Sequence, residues 1–265
     1  MIKAILGVAA LPALLFATAA TAQDESPPSK ERRFRVALGP QLQPRYPGSE
    51  DLRVTPLWDV SMTRGDRPFK FEAADESFGV PLFEIGDLAI GPAFGIEGSR
   101  RRNETDLPVD EVGVSMEAGV FADLWLGSAI RARGEVRKGV TGHQAIVGAV
   151  SLDYVARDRD RWLFSVGPRV SLSDGKYQRA YFGVNPAASA RTGLSTFDPD
   201  GGVHAVGAAA TALYAIDRHW GLFGYAKYDR LVADAARSPI VRTIGSRNQF
   251  SGGLALTYTF GRKSR

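Results

Sequence analysis

The chain has 265 residues, no cysteine, three histidines, and 33 Lys+Arg against 29 Asp+Glu, a formal net charge of +4. Without cysteine there is no disulfide-stapled fold, no thiolate metal site and no acylated N-terminal cysteine. The near balance of charge argues against a nucleic-acid partner.

Residues 1–22 carry Lys3, an apolar run over 4–19 and the small triplet Ala20-Thr21-Ala22, which predicts a cleaved secretory signal peptide. An uncleaved anchor helix is the alternative, but the run is alanine-rich and short for the roughly 20 residues a span needs. Residues 23–33, with Pro27-Pro28 and mixed charge, read as a flexible periplasmic lead. Charges or glycines interrupt every later apolar run, so the mature chain can occupy a membrane only as a barrel.

From residue 34 onward the pattern predicts strands near 34–42, 51–62, 67–74, 78–84, 87–98, 111–124, 127–137, 142–156, 160–172, 203–216, 219–232 and 248–260. Several reach ten residues or more, which suits a tilted spanning strand better than a soluble one. Apolar residues keep one parity: Phe250, Leu254, Leu256, Tyr258 and Phe260 alternate with Gln249, Ser251, Ala255, Thr257 and Thr259. In 127–137, Ile130, Ala132 and Val136 oppose Arg131, Arg133, Glu135 and Arg137, four charges that no dry core accommodates.

A soluble sandwich gives the same alternation on a single strand. Connection lengths separate the two. Tight turns at 64–67, 85–87, 125–127, 157–159 and 217–218 alternate with connections that include the long stretches 99–110, 173–202 and 233–245. Large aromatics gather at the short-turn end, namely Phe34, Trp58, Phe69, Trp125, Tyr154, Trp162, Phe164, Tyr214, Trp220, Tyr258 and Phe260, and predict an inner girdle at the headgroup level. The other end has only Phe94, Tyr228 and Phe250. The expected fold is an all-β transmembrane antiparallel up-and-down β-barrel of about twelve strands over 34–260, in the outer membrane, followed by a basic tail at 261–265.

Three stretches resemble the MipA/OmpV family. Leu38-Gly39-Pro40 followed by Pro44-Arg45-Tyr46-Pro47-Gly48-Ser49 is similar to its entry motif. Tyr181-Phe182-Gly183-Val184-Asn185-Pro186 is similar to its most distinctive stretch, and Ser238-Pro239-Ile240-Val241 with Gly245-Ser246-Arg247 leads into the final strand as in that family. The resemblance spans the mature chain. It implies a non-enzymatic outer-membrane scaffold that links a lytic transglycosylase and a penicillin-binding protein in peptidoglycan remodelling, or else a permeability or stress factor. It supplies no catalytic residues and no cofactor. The tail past Phe260 departs from the terminal aromatic that the barrel assembly machinery reads.

The inward parity collects Arg35, Arg53, Asp59, Glu97, Glu117, Asp123, Arg131, Arg133, Glu135, Arg137, Asp153, Arg169, Lys227 and Asp229. These charges either line a small-solute channel or neutralise one another in pairs, and the balance of signs favours pairing. Arg131, Arg133 and Arg137 are the place for an anion-binding strip. His204 reads as outward-facing near the long loop's Ser189 and Ser195, where a phospholipase-like site would sit, but no triad spacing supports one. His219 abuts Trp220 at a turn and His143 lies in a loop. The run Arg100-Arg101-Arg102-Asn103-Glu104 reads as a solvated outer loop whose arginines suit lipopolysaccharide anions. Asp198-Pro199-Asp200-Gly201 reads as a turn, since it lacks calcium-loop spacing.

Overall fold

The computed structural model describes residues 32–65 and 67–261. The expected signal peptide (1–22), residues 23–31 of the expected lead and residues 262–265 of the expected tail lie outside the described residues. Arg32 and Arg33, expected in the lead, already belong to the first strand.

Twelve strands are present: β1 (Arg32–Pro44), β2 (Leu52–Arg64), β3 (Phe78–Gly79), β4 (Phe83–Ile85), β5 (Leu88–Glu97), β6 (Ser115–Leu126), β7 (Ile130–Gly139), β8 (Ile146–Asp158), β9 (Trp162–Ser173), β10 (Gly202–Ala215), β11 (Trp220–Leu231) and β12 (Asn248–Phe260). They form one antiparallel meander in which β12 returns to pair with β1, from Phe34 opposite Phe260 to Leu42 opposite Gly252. This is an all-β antiparallel outer-membrane barrel wall. It has one seam: among the described residues no ladder joins β2 to β3.

Period-two alternation sets the two faces. In β1, β2 and β5 to β12 the even-numbered residues other than His204 face outward, as with Val54, Val120 and Leu254, while odd-numbered Ala37, Arg131, Asp153 and Thr211 are buried inside. On the outward face of these strands charge occurs only at the ends: Arg32, Arg64 and Asp158 at the short-turn end, Lys138 and Arg230 at the long-loop end. A Val120→Arg substitution at mid-strand should therefore cost about 2–4 kcal/mol of barrel stability, read as a lowered urea midpoint in detergent or lipid.

Short turns (86–87, 127–129, 159–161 and 216–219) lie at one end, and the long connections 98–114, 174–201 and 232–247 at the other. The girdle at the short-turn end consists of Phe34, Trp58, Tyr154, Trp162, Phe164, Tyr214, Trp220 and Phe260, all exposed on the outward face, with Tyr258 half-buried between Trp220 and Phe260. Two expected members are not in it. Phe69 is buried inside, and Trp125 turns inward to meet Phe71 edge-on at 6.4 Å between ring centroids.

Their inward turn follows from the largest departure from the sequence expectation. Residues 67–77 do not form the wall strand predicted at 67–74. They run as a strap through the lumen, where Phe69, Phe71 and Ala73 are buried and Lys70 and Glu72 are exposed. Alternation is satisfied equally by either position, because the inward arginines Arg35 and Arg131 offer planar cations to the Phe69 and Phe71 rings at 4.5 and 5.3 Å. The expected strand 78–84 is interrupted between Gly79 and Phe83, and its two pieces, β3 and β4, both pair with β5.

Four helices occupy the long connections: α1 (Gly175–Phe182), α2 (Pro186–Thr192), α3 (Ala233–Arg237) and α4 (Pro239–Ile244). Asp174 and Asn185 cap α1 and α2 by accepting from the Tyr177 and Ala188 amides, and Pro186 sits at the first position of α2. Among the described residues no helix is long and apolar enough to cross a membrane.

Candidate functional site

The lumen is occupied from both ends. At the long-loop end, α1 turns inward and buries Tyr177, Gln178, Tyr181 and Phe182. Their rings pack against Tyr46, Val112, Val147, Leu231 and Val241, contributed by five other connections or strand ends. Burial holds the Tyr177 and Tyr181 phenols well above their ordinary range, with the Glu97 carboxylate adding to the effect, so both stay neutral.

Segments far apart in sequence meet in this lid. Pro44 ends β1, and the turn that follows places Tyr46 and Ser49 inside. Gly48 has φ +93°, and a Cβ there would approach Val241 Cγ2 at 3.0 Å and Phe182 Cε1 at 3.2 Å. Its amide donates to Gln249 Oε1 at 2.9 Å, and Gln249 Nε2 donates to the Ser49 carbonyl at 3.0 Å. Ser49 also bridges to Gly245. The Ser238 hydroxyl donates to the Phe182 carbonyl at 2.7 Å, Pro239 opens α4, and Ile240 packs with Val184. Gly183 lies so close to the Arg179 carbonyl, 2.6 Å from a Cβ, that only glycine fits. A Gly48→Ala substitution should cost about 1–2 kcal/mol from the left-handed backbone alone, measured as a fall in the temperature at which the folded gel form is lost.

Arg100 pins the lid. Fully buried, it donates from Nη1 to the Tyr181 carbonyl (2.7 Å) and from Nη2 to the Ala180 carbonyl (2.8 Å), while Nε and Nη2 hold the Asp110 carbonyl. A cation at the C-terminal carbonyls of α1 meets the negative end of its dipole. The expectation of a solvated loop therefore fails for Arg100, whereas Arg101 and Arg102 are exposed. The difference is the bridge Arg100–Val112, which turns this one side chain inward.

At the other end the strap is held by inward charges. Arg131 donates to Glu76 Oε1 and Oε2 (2.7 and 3.0 Å) and to Asp123 Oδ1 (2.8 Å). Arg169 grips Asp75 with both Nε and Nη2 (2.9 and 3.1 Å) and also bonds Asp153, while Lys227 reaches Asp75 at 3.3 Å. Ser77 Oγ donates to Glu135 Oε2 at 2.6 Å, and Arg133 joins Glu135 and Asp123. Arg137 pairs with Glu117 at 2.8 Å and with Glu135. Nearer the turns, Arg157 Nη1 donates to the Phe69 carbonyl, the Phe69 amide to Asp160, and Lys70 pairs with Glu84. Thus Arg131, Arg133, Glu135, Arg137 and Arg169 all lie in the lumen, each in an ion pair.

The family model for MltA-interacting protein MipA matches residues 36–260. The chain belongs to this family. Among curated proteins no sequence matches. Solved structures with similarity include the COG4313 outer membrane channel from Pseudomonas putida F1, at 11% identity over 92% of this chain and 100% of that one, TM-score 0.41. The translocator domain of autotransporter NalP from Neisseria meningitidis is 10% identical over 89% and 90%, TM-score 0.33. The outer membrane protein OprG from Pseudomonas aeruginosa is 8% identical over 88% and 98%, TM-score 0.28.

In this MipA-family barrel the three histidines serve the interior and the rim. His143 accepts the Ala145 amide at Nδ1 (3.0 Å), which leaves Nε2 carrying the proton toward Glu117 (2.9 Å). His204 faces inward, against the outward parity expected of it, because a register shift between Val203 and Ala205 rotates the strand there. Its Nδ1 lies 3.0 Å from Ser173 Oγ, and its ring lies against Tyr177 at 5.2 Å. Ser189 instead donates to the Leu194 carbonyl within the long connection. His219 stacks on Tyr258 at the short-turn rim. Between lid and strap is a cavity of about 430 Å³, whose lining includes Gln41, Arg53, Glu97, Glu117, Lys227 and Asp229. A second cavity of about 400 Å³ flanks the strap near the turns, bordered by Phe69, Phe71, Trp125 and Arg157. Among the described residues no group of His, Asp or Glu is arranged to hold a metal ion.

Proposed function

We propose that this MipA-family barrel is a non-enzymatic scaffold, exported by a cleaved signal peptide, that presents its periplasmic turns and basic tail to a lytic transglycosylase and a penicillin-binding protein. The observation that carries this reading is the doubly occupied lumen. Lid and strap obstruct the path that a constitutive pore would keep open, which favours the short turns as the surface a periplasmic partner meets. The family's naming after an MltA interaction supports the same partner class. Ser173 and His204 lie in hydrogen-bond contact, but His204 engages through Nδ1 beneath the aromatic lid, an arrangement that serves packing better than nucleophilic attack.

Crosslinking in intact envelopes tests the proposal. Full-length protein should capture a lytic transglycosylase through residues of the short turns. Recovery of nothing but assembly machinery and lipopolysaccharide would sink it. A small-solute channel is the second reading, favoured by the polar cavity of about 430 Å³ between lid and strap.

A further inference from the structure

We infer that residues 67–74 have a second seat, the seam between β2 and β3, where they become a wall strand and leave the lumen. Four independent observations meet here.

The first is the seam's place in the chain. Consecutive wall strands pair all the way from β5 to β12, β12 pairs with β1, and β1 pairs with β2 along its entire length. The ladder breaks only where the strap leaves the wall. β2 spans thirteen residues, and its far edge has no strand beside it among the described residues. In hydrocarbon an unpaired edge costs several kcal/mol for each unsatisfied backbone group, so the bilayer itself drives a strand into this gap.

The second is the strap's sequence. Counting Arg64 and Arg67 as the first pair of a hairpin sets Phe69 opposite Met62, Phe71 opposite Val60 and Ala73 opposite Trp58. All three partners face lipid. Phe69 and Phe71 would thereby enter the apolar band while Lys70 and Glu72 turned to the lumen. Gly65 has φ +59°, the backbone sign that two-residue hairpin turns require. Pro68, which lacks an amide proton, stands at the strand's first turn, where a proline is tolerated.

The third is how the strap is held. Within 67–74 the side chains of Phe69, Phe71 and Ala73 are buried and Lys70 pairs with Glu84, while the buried ion pairs, Arg131 on Glu76 and Arg169 and Lys227 on Asp75, hold the two residues that follow. Buried ion pairs roughly break even against the desolvation they require, and in the wall seat Phe69 and Phe71 would stay out of water against lipid, so the inner seat has no large energetic advantage over a seat that completes the wall. The fourth is space. Cavities of about 430 and 400 Å³ flank the strap on either side, and its departure would join them. The barrel is then a gated conduit for small polar solutes. This inference rests on the channel reading, and the crosslinking that tests the scaffold proposal at the turns is independent of it.

The absence of cysteine allows a direct test in the full-length protein. Ala73 and Val155 are packed together in the lumen, whereas Val60 and Phe71 become opposite each other only in the wall seat. In barrels shown to be folded by heat-shifted gel mobility, oxidised Ala73→Cys/Val155→Cys should lose all conductance in planar bilayers and regain it on reduction. Oxidised Val60→Cys/Phe71→Cys should form an intramolecular crosslink and conduct persistently. If Val60→Cys/Phe71→Cys stays unlinked while Ala73→Cys/Val155→Cys links fully and its conductance is indifferent to reductant, the second seat does not exist. A crosslink between two chains through Val60→Cys alone would equally overturn it, by showing that another copy covers the edge.

Discussion

Replacing Arg131 by alanine should lower barrel stability by about 3–5 kcal/mol, the usual cost of removing one partner from a buried ion pair. This guanidinium is almost wholly excluded from solvent and bonds two carboxylates on different segments, Glu76 on the strap and Asp123 on β6. Its loss would leave the Glu76 carboxylate in the lumen with no close cation, keeping only the Ala73 amide at 3.3 Å and Arg133 at 3.9 Å. It would also remove the cation over the Phe71 ring. The measurement is equilibrium urea unfolding in detergent. The pairing account makes a second demand: combining Arg131→Met with Glu76→Met should recover most of the loss, because a matched apolar pair removes both desolvated charges. Equal instability of the single and double variants would show that Arg131 acts through shape rather than charge.

Arg100→Ala should cost about 3 kcal/mol, the upper range for hydrogen bonds to a charged group. Four of its contacts go to main-chain carbonyls, those of Asp110, Ala180 and Tyr181. Without the guanidinium these buried carbonyls lose their donor, and Arg100→Lys should rescue poorly since a point cation cannot span the fork. The effect should be local. Limited proteolysis should open the connection 174–201 well before the wall strands unfold, and a wall that unfolds together with the lid would contradict this assignment.

The wall was legible in the sequence because lipid imposes a strict period of two, and even small residues such as Ala132 and Gly134 preserve it. The His204 bulge was not, since one extra residue in a strand leaves no trace in composition. The strap escaped because Phe69 and Phe71 alternate with Lys70 and Glu72 just as lipid-facing residues would, and an aromatic stacked on arginine is as well placed inside as outside. Arg100 was hidden by its two exposed neighbours of identical type. The motif residues Tyr46, Gly48, Ser49, Tyr181, Phe182 and Ser238 were picked out by family resemblance as three separate stretches. That they form one cluster depends on a pairing, β12 with β1, that no local pattern reveals.

The two hydrogen bonds of Gln249 to Gly48 and Ser49 bring together residues 201 and 200 positions apart. One belongs to β12 and the others to the turn between β1 and β2. The mouth therefore cannot set until β12 has docked on β1. A barrel in which β12 has not docked stays unlatched there, so a set lid is the mark of a wall closed between β12 and β1.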